Sequence, residues 1–276
     1  MRILFQVWTV LLILVPAARS DAVTITPFGD NGEGGSSNGQ SSTIGSDGTV
    51  FEVDGFVNIG GRDLNGGGFG TSAQLSKDAL PSGLDFTFDA TLSSDSTDLT
   101  LSYSFTNNTA SDLIDFQFLS FVDADIADMT FDSFWDESAS TSGFLAEGQN
   151  FEVDEPGYMF GDIFDNVRLG TLDGDNAVPW DSPEDVAMAL SFGLPVLGSG
   201  ETYRVDIMLS EDGGFLGTFV IDQGDPNLAT TISYSGTASV ASPMPEPSSL
   251  ILFGAGSLLV GRALRRRTVK ESADSR

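Results

Sequence analysis

Leu84-Asp85-Phe86-Thr87-Phe88-Asp89-Ala90-Thr91-Leu92 runs into Ser93-Ser94-Asp95-Ser96-Thr97-Asp98 and emerges as Leu99-Thr100-Leu101-Ser102-Tyr103-Ser104-Phe105. Apolar and polar residues alternate strictly in both flanking runs, the period of two that sends successive side chains to opposite faces of a pleated strand. Leu84, Phe86, Phe88, Ala90 and Leu92 are predicted to face a core, and Leu99, Leu101, Tyr103 and Phe105 repeat the pattern. The Ser/Asp/Thr segment between them has turn composition, so the pair reads as an antiparallel hairpin.

Working outward, Asn107-Asn108-Thr109-Ala110-Ser111 ends the second strand and a third follows. Its Ile114, Phe116 and Phe118 are predicted inward; the phase then shifts to Leu119 and Phe121, which implies a bulge or burial on both faces. Later strand-like runs are 186–192, Tyr203-Val205-Ile207-Leu209 with polar partners between, 215–221 and 229–240. Gly, Pro, Asn and Asp separate them, and no sustained helical period occurs between the termini. Many short strands at this spacing predict an all-β fold, an antiparallel β-sandwich of jelly-roll or immunoglobulin-like arrangement. Residues 30–47 are dense in Gly, Ser and Asn and read as a loop or irregular edge, while the acidic, aromatic region 123–176 reads as long loops or an extra edge layer. Phe-Glu-Val-Asp occurs at Phe51 and again at Phe151, but the flanks differ and the recurrence reads as chance.

The two ends of the chain have another character. Residues 1–20 carry one early charge at Arg2, an apolar run over 3–15 broken only by Gln6 and Thr9, and the small-residue region Pro16-Ala17-Ala18-Arg19-Ser20. That is the layout of a secretory signal peptide cut between Ser20 and Asp21, with Val15 and Ala17 offering a second site. After Pro243 come Pro245-Glu246-Pro247, Ser248-Ser249, an apolar stretch and the basic residues Arg262, Arg265, Arg266 and Arg267. Residues 248–264 would make about 25 Å of helix, a short transmembrane span once the arginines snorkel. Clustered arginine beyond it places the C-terminus in the cytoplasm and the preceding domain outside. The chain thus divides into a signal peptide (1–20), one β ectodomain (21–243) and a membrane tail (244–276), the middle being long enough for a single substantial core.

Of the 12 basic residues, two precede Asp21 and six follow Pro243, which leaves Arg62, Lys77, Arg168 and Arg204 in the middle. Of the 40 acidic residues only Glu246, Glu271 and Asp274 lie in the tail, so 37 acids face 4 bases and the ectodomain carries a formal charge of −33. Such a surface repels nucleic acid and anionic membranes and attracts cations or basic partners; its plain role is solubility. Cysteine and histidine are both absent. The chain therefore has no thiol or imidazole base, no Ser-His-Asp triad, no disulfide and no zinc site of the usual kind, and a non-enzymatic role is expected.

The tail resembles the PEP-CTERM protein-sorting signal, in which a Pro-Glu-Pro motif, a short apolar helix and a basic end are recognised by a membrane peptidase of the exosortase family. The resemblance implies that Pro245, Glu246 and Pro247 are the recognition motif and that Arg262, Arg265, Arg266 and Arg267 are the stop element. This chain continues from Thr268 to Arg276 beyond the arginines, further than the pattern usually runs. Proteins of this type occur in Gram-negative bacteria that make exopolysaccharide, and many resemble surface or extracellular-matrix components. The implied life history is export by way of signal peptidase, transient anchoring in the inner membrane, exosortase processing and release to the cell surface or beyond, in association with biofilm exopolysaccharide. The segment from Leu99 through Asp125, a strand ending in Thr-Asn followed by an aromatic strand ending in Asp-x-Asp, is similar to a pattern common in such exported proteins and implies a sandwich, not an activity.

Within the ectodomain, Asp123 and Asp125, with Asp128 nearby, place carboxylates at a strand end. A solvated acidic turn is the plain reading; the alternative is a calcium site, since calcium takes several hard oxygens from a bendable segment. No other cofactor is expected. Asp173-Gly174-Asp175-Asn176 copies some calcium-loop spacing, but Val178 stands where the sixth position needs glycine, so it is not an EF-hand. Trp135, Tyr158 or Trp180 could stack on sugar rings in a carbohydrate-binding alternative, though each is more often simply a core residue. Asn107-Asn108-Thr109 fits the N-glycosylation sequon.

Overall fold

The computed structural model describes residues 42–44, 48–64, 71–75, 78–94, 97–126, 135–157, 160–226 and 231–243. The signal-peptide residues Ser20 and Asp21, the sorting motif, the arginine cluster, Asp128 and Tyr158 lie outside them. In chain order the elements are β1 (Ser42–Ile44), β2 (Gly48–Ile59), β3 (Ala73–Gln74), β4 (Leu84–Leu92), β5 (Asp98–Asn107), β6 (Leu113–Ile126), β7 (Ser138–Gly143) and β8 (Gln149–Asp154). Helix α1 (Ile163–Leu169) follows, then β9 (Ala187–Leu197), β10 (Thr202–Ser210), β11 (Phe219–Gly224) and β12 (Thr231–Ala241).

The alternating runs pair as expected: β4 and β5 form an antiparallel hairpin in unbroken register from Leu84–Asn107 to Leu92–Leu99. Among the described residues there are two six-stranded antiparallel sheets. Sheet A has the order β1-β2-β6-β9-β8, with β3 also on β2, and sheet B the order β4-β5-β10-β12-β11-β7. Their inner faces share one core. Tyr103 and Phe105 of sheet B meet Phe118 of sheet A at ring-centroid distances of 4.5 and 5.6 Å, and Phe116 packs edge-on to Tyr203 at 5.7 Å. Gly55 of β2 lies directly under this contact: a Cβ there would stand 3.2 Å from both Phe118 and Tyr103.

The long strand β6 resolves the phase shift seen in the sequence. Phe116, Phe118, Val122, Ala124 and Ile126 enter the shared core, while Leu119 and Phe121 enter a second cluster on the opposite face of sheet A. The shift between them therefore marks burial on both faces. A backbone irregularity does exist, but earlier: Asp115 has φ 50°, opposite Pro195, which has no N–H to give the ladder. One consequence corrects the expectation for Ile114, which is 50% exposed while Leu113 is buried in its place.

Other differences have similar local causes. β11 starts only at Phe219, because Asp212-Gly213-Gly214 turns the chain and leaves Phe215 exposed. Helix α1 interrupts a region predicted to lack helix; two turns are too short to show a period, although Asp165 in its first turn, Arg168 in its last and a left-handed Gly170 cap are all present. The sequon is a structural corner: Asn107 is 0% exposed. Its Nδ2 donates to the carbonyls of Ser111 and Leu197, and its Oδ1 accepts from the Thr109 hydroxyl at 2.6 Å, so it is closed to glycan attachment.

Truncating the ring at the centre of the seam should be costly. Phe118→Ala is expected to lower unfolding free energy by about 3–5 kcal/mol, as for other buried aromatic truncations, whereas Phe144→Ala at an exposed position should cost under about 0.5 kcal/mol. Urea denaturation of both variants checks the contrast.

Candidate functional site

The second apolar cluster shows how the outer face of sheet A is organised. Phe56 of β2, Leu119 and Phe121 of β6, and Ala187 and Ala189 of β9 are covered by Ile163 and Val167 of α1. Phe164 packs edge-on to Phe56 at 6.0 Å and to Phe121 at 5.4 Å. Because strands alternate, every second residue onward from these points the same way. Glu52 and Asp54 on β2, Asp123 and Asp125 on β6, Asp185 just before β9, and Glu152 on β8 therefore share the face that α1 partly covers. The β-ladders set them side by side: Glu52 opposes Asp123, and Asp123 opposes Ala187, which puts Asp185 beside Asp125 one step on.

Two groups of carboxylates result, and they differ in kind. In the first, one oxygen from each of Asp123, Asp125 and Asp185 lies within 4.8 Å of the others. Asp123 is only 3% exposed, and its Oδ1 meets no hydrogen-bond donor among the described residues; neither does Oδ1 of Asp185. Burial, reinforced by the negative charges of Asp125, Asp185 and Glu52, pushes the Asp123 carboxyl up to about 9. Burial and the charge of Asp125 push Asp185 up to about 7.

In the second group, Glu152, Asp162 and Asp173 are bound together by donors. Glu152 accepts from Asn166 Nδ2 at 2.9 Å and from the Asp173 N–H at 3.0 Å, and Asn166 also donates to Asp162 at 3.1 Å. These bonds pin α1 and the following turn to β8. Burial still pushes Glu152 up to about 7, with the two hydrogen bonds opposing it.

Beside the first group, Glu137 is wholly buried ahead of β7 and bridges the sheets. Its Oε1 accepts from the Ile126 N–H at 2.6 Å and its Oε2 from Gln223 Nε2 at 2.5 Å, and the same amide donates to the Ala124 carbonyl. Burial, only partly opposed by the Ile126 hydrogen bond, pushes Glu137 up to about 9.

The pair Asp123 and Asp125 singled out from sequence is thus brought together, and Asp185 joins it. Asp185 and Glu137 carried no sequence signal beyond being acidic, since only the strand register makes them neighbours. Asp173-Gly174-Asp175-Asn176 is a pinned turn: Asn176 Nδ2 donates to the Ala139 carbonyl and the Gly174 N–H to that of Phe151. Trp135 and Trp180 are exposed, at 42% and 51%, on the segments that meet where the Glu184 N–H donates to the Glu137 carbonyl.

The described β domain is followed in the sequence by Pro-Glu-Pro, an apolar stretch and arginines. Residues 245–267 match the PEP-CTERM protein-sorting motif, a signal that indicates export, exosortase processing and sorting to the surface. No curated protein matches the chain significantly. Among the described residues no helix is long and apolar enough to cross a membrane, and the apolar tail lies outside them.

The raised carboxyls set the pH dependence of stability. Asp123, Glu137, Asp185 and Glu152 hold protons in the folded state that unfolded carboxyls, near 3.8 and 4.5, release. The folded form binds more protons between those values and about 9, so its advantage is complete at the acid end and is lost as pH rises. Melting temperature in chelator should therefore fall steadily from pH 5 to pH 9; a rise over that interval would contradict the burial of these groups.

Proposed function

We propose that this protein is a non-enzymatic structural component of the bacterial surface or extracellular matrix, delivered there by its two terminal signals and associated with exopolysaccharide. The observation that carries the reading is the PEP-CTERM match at residues 245–267, attached to a domain with no thiol or imidazole chemistry. In this reading the signal peptide is removed between Ser20 and Asp21, residues 248–264 hold the intermediate in the inner membrane, and the arginines stop its transfer. Pro245-Glu246-Pro247 then presents an extended strand to the exosortase, because proline fixes its own φ and keeps the preceding residue out of helix. The sandwich, of jelly-roll or immunoglobulin-like kind, is the cargo.

Support for a matrix role comes from the ectodomain itself. Two packed sheets with a continuous core make a stable module without disulfides, and the charge of −33 keeps it soluble and away from anionic membranes. Exposure of Trp135 and Trp180 favours polysaccharide as partner in the second reading, a carbohydrate-binding module, since flat aromatic faces stack on sugar rings.

Replacing Pro245, Glu246 and Pro247 together by alanine in the producing cell should leave an unprocessed, membrane-held form, followed by immunoblot of membrane and released fractions. Unchanged processing and location would contradict the sorting role. Trp135→Ala with Trp180→Ala should weaken retention on the producer's own polysaccharide if the binding reading holds, and leave it unaltered if the domain is scaffold alone.

A further inference from the structure

We propose that Asp123, Asp125 and Asp185 form a calcium site that ties the end of β6 to the start of β9 on the outer face of sheet A. Three observations converge. One carboxylate oxygen from each residue lies within 4.8 Å of the others, close enough for a single ion with calcium–oxygen distances of about 2.3–2.6 Å to touch all three. Asp123, only 3% exposed, contributes one carboxylate oxygen to this cluster, and its buried Oδ1 meets no donor among the described residues. Among the described residues, the charges that bear on Asp123 are those of Asp125, Asp185 and Glu52, all negative.

A buried carboxylate without a partner is costly, and proteins resolve such a group by pairing, protonation or a metal. The neighbouring group shows what a resolved arrangement looks like here, because both Glu152 oxygens have donors. Carboxylate oxygens alone, in a chain without cysteine or histidine, select a hard cation over zinc. Calcium suits the site better than magnesium. Two of the three ligands ride on the hydrogen-bonded strand β6 and the third lies just before β9, a frame that cannot readily contract to the octahedron of about 2.0–2.1 Å that magnesium demands. The affinity expected for an extracellular module is of order 10⁻⁴–10⁻³ M.

The site stands independently of the sorting reading, because it concerns the ectodomain's own carboxylates and is tested without processing. Purified full-length protein in detergent, stripped with chelator and held in physiological salt, would be titrated with calcium chloride by calorimetry and followed by thermal unfolding. One ion per chain and a rise in melting temperature are expected, with a smaller rise from magnesium chloride at equal concentration. Asp123→Asn and, separately, the half-exposed Asp185→Asn should each weaken calcium binding by at least about tenfold and abolish the thermal shift, while Glu152→Gln in the hydrogen-bonded group keeps both. The assignment is overturned if calcium gives no shift, if magnesium reproduces it in full, or if Asp185→Asn responds like the wild type.

Discussion

Contact between the aromatic rings of β5 and β6 is the interaction on which the rest of the structure depends. Tyr103 and Phe105 project from sheet B, Phe116 and Phe118 from sheet A, and Phe105 lies 5.5 Å from Phe116 and 5.6 Å from Phe118. Neither sheet could stand alone: each has one strongly apolar face that must be removed from water, and burial of such rings supplies most of the favourable free energy. Gly55 completes the fit, since a Cβ there would stand 2.8 Å from Leu75 and 3.2 Å from both Phe118 and Tyr103.

With stability supplied from the inner face, the outer face of sheet A is free to carry groups that oppose folding. There α1 seals only the middle, over Phe56, Phe121 and Ala189, and the rows beyond hold carboxylates on adjacent strands. Strand geometry sets these groups about 5 Å apart across the ladder, where like charges repel. Glu152 escapes through its donors, as Glu137 does between the sheets through Ile126 and Gln223, whereas Oδ1 of Asp123 and Oδ1 of Asp185 meet no donor among the described residues. A sheet face that gathers carboxylate oxygens in a chain of this net charge attracts cations.

Much of the sandwich was legible because its strands are amphipathic. Leu84 to Leu92 and Leu99 to Phe105 announce themselves by alternation, and the double phase of Phe118, Leu119 and Phe121 announces either a bulge or burial on both faces, of which β6 shows the second. Ile114 misled because a single residue at positive φ, Asp115, shifts the parity locally, and no hydrophobic pattern records a backbone angle. Helix α1 is held by docking on Phe56 and Phe121 more than by its own seven residues, so its signal lies in tertiary structure. Similarly, Asp123 and Asp125 could be paired from their spacing on one strand, whereas Asp185 becomes their neighbour only once β9 is placed beside β6. The sorting tail was read from order and composition alone, and it lies outside the described residues.

Native-state hydrogen exchange tests most directly the claim that one seam holds two sheets as a single cooperative unit. Amides of β5 and β10 in sheet B and of β6 and β9 in sheet A should exchange through the same global opening, with opening free energies agreeing within about 1 kcal/mol. Separate opening of the two sheets, one markedly less protected than the other, would contradict the account.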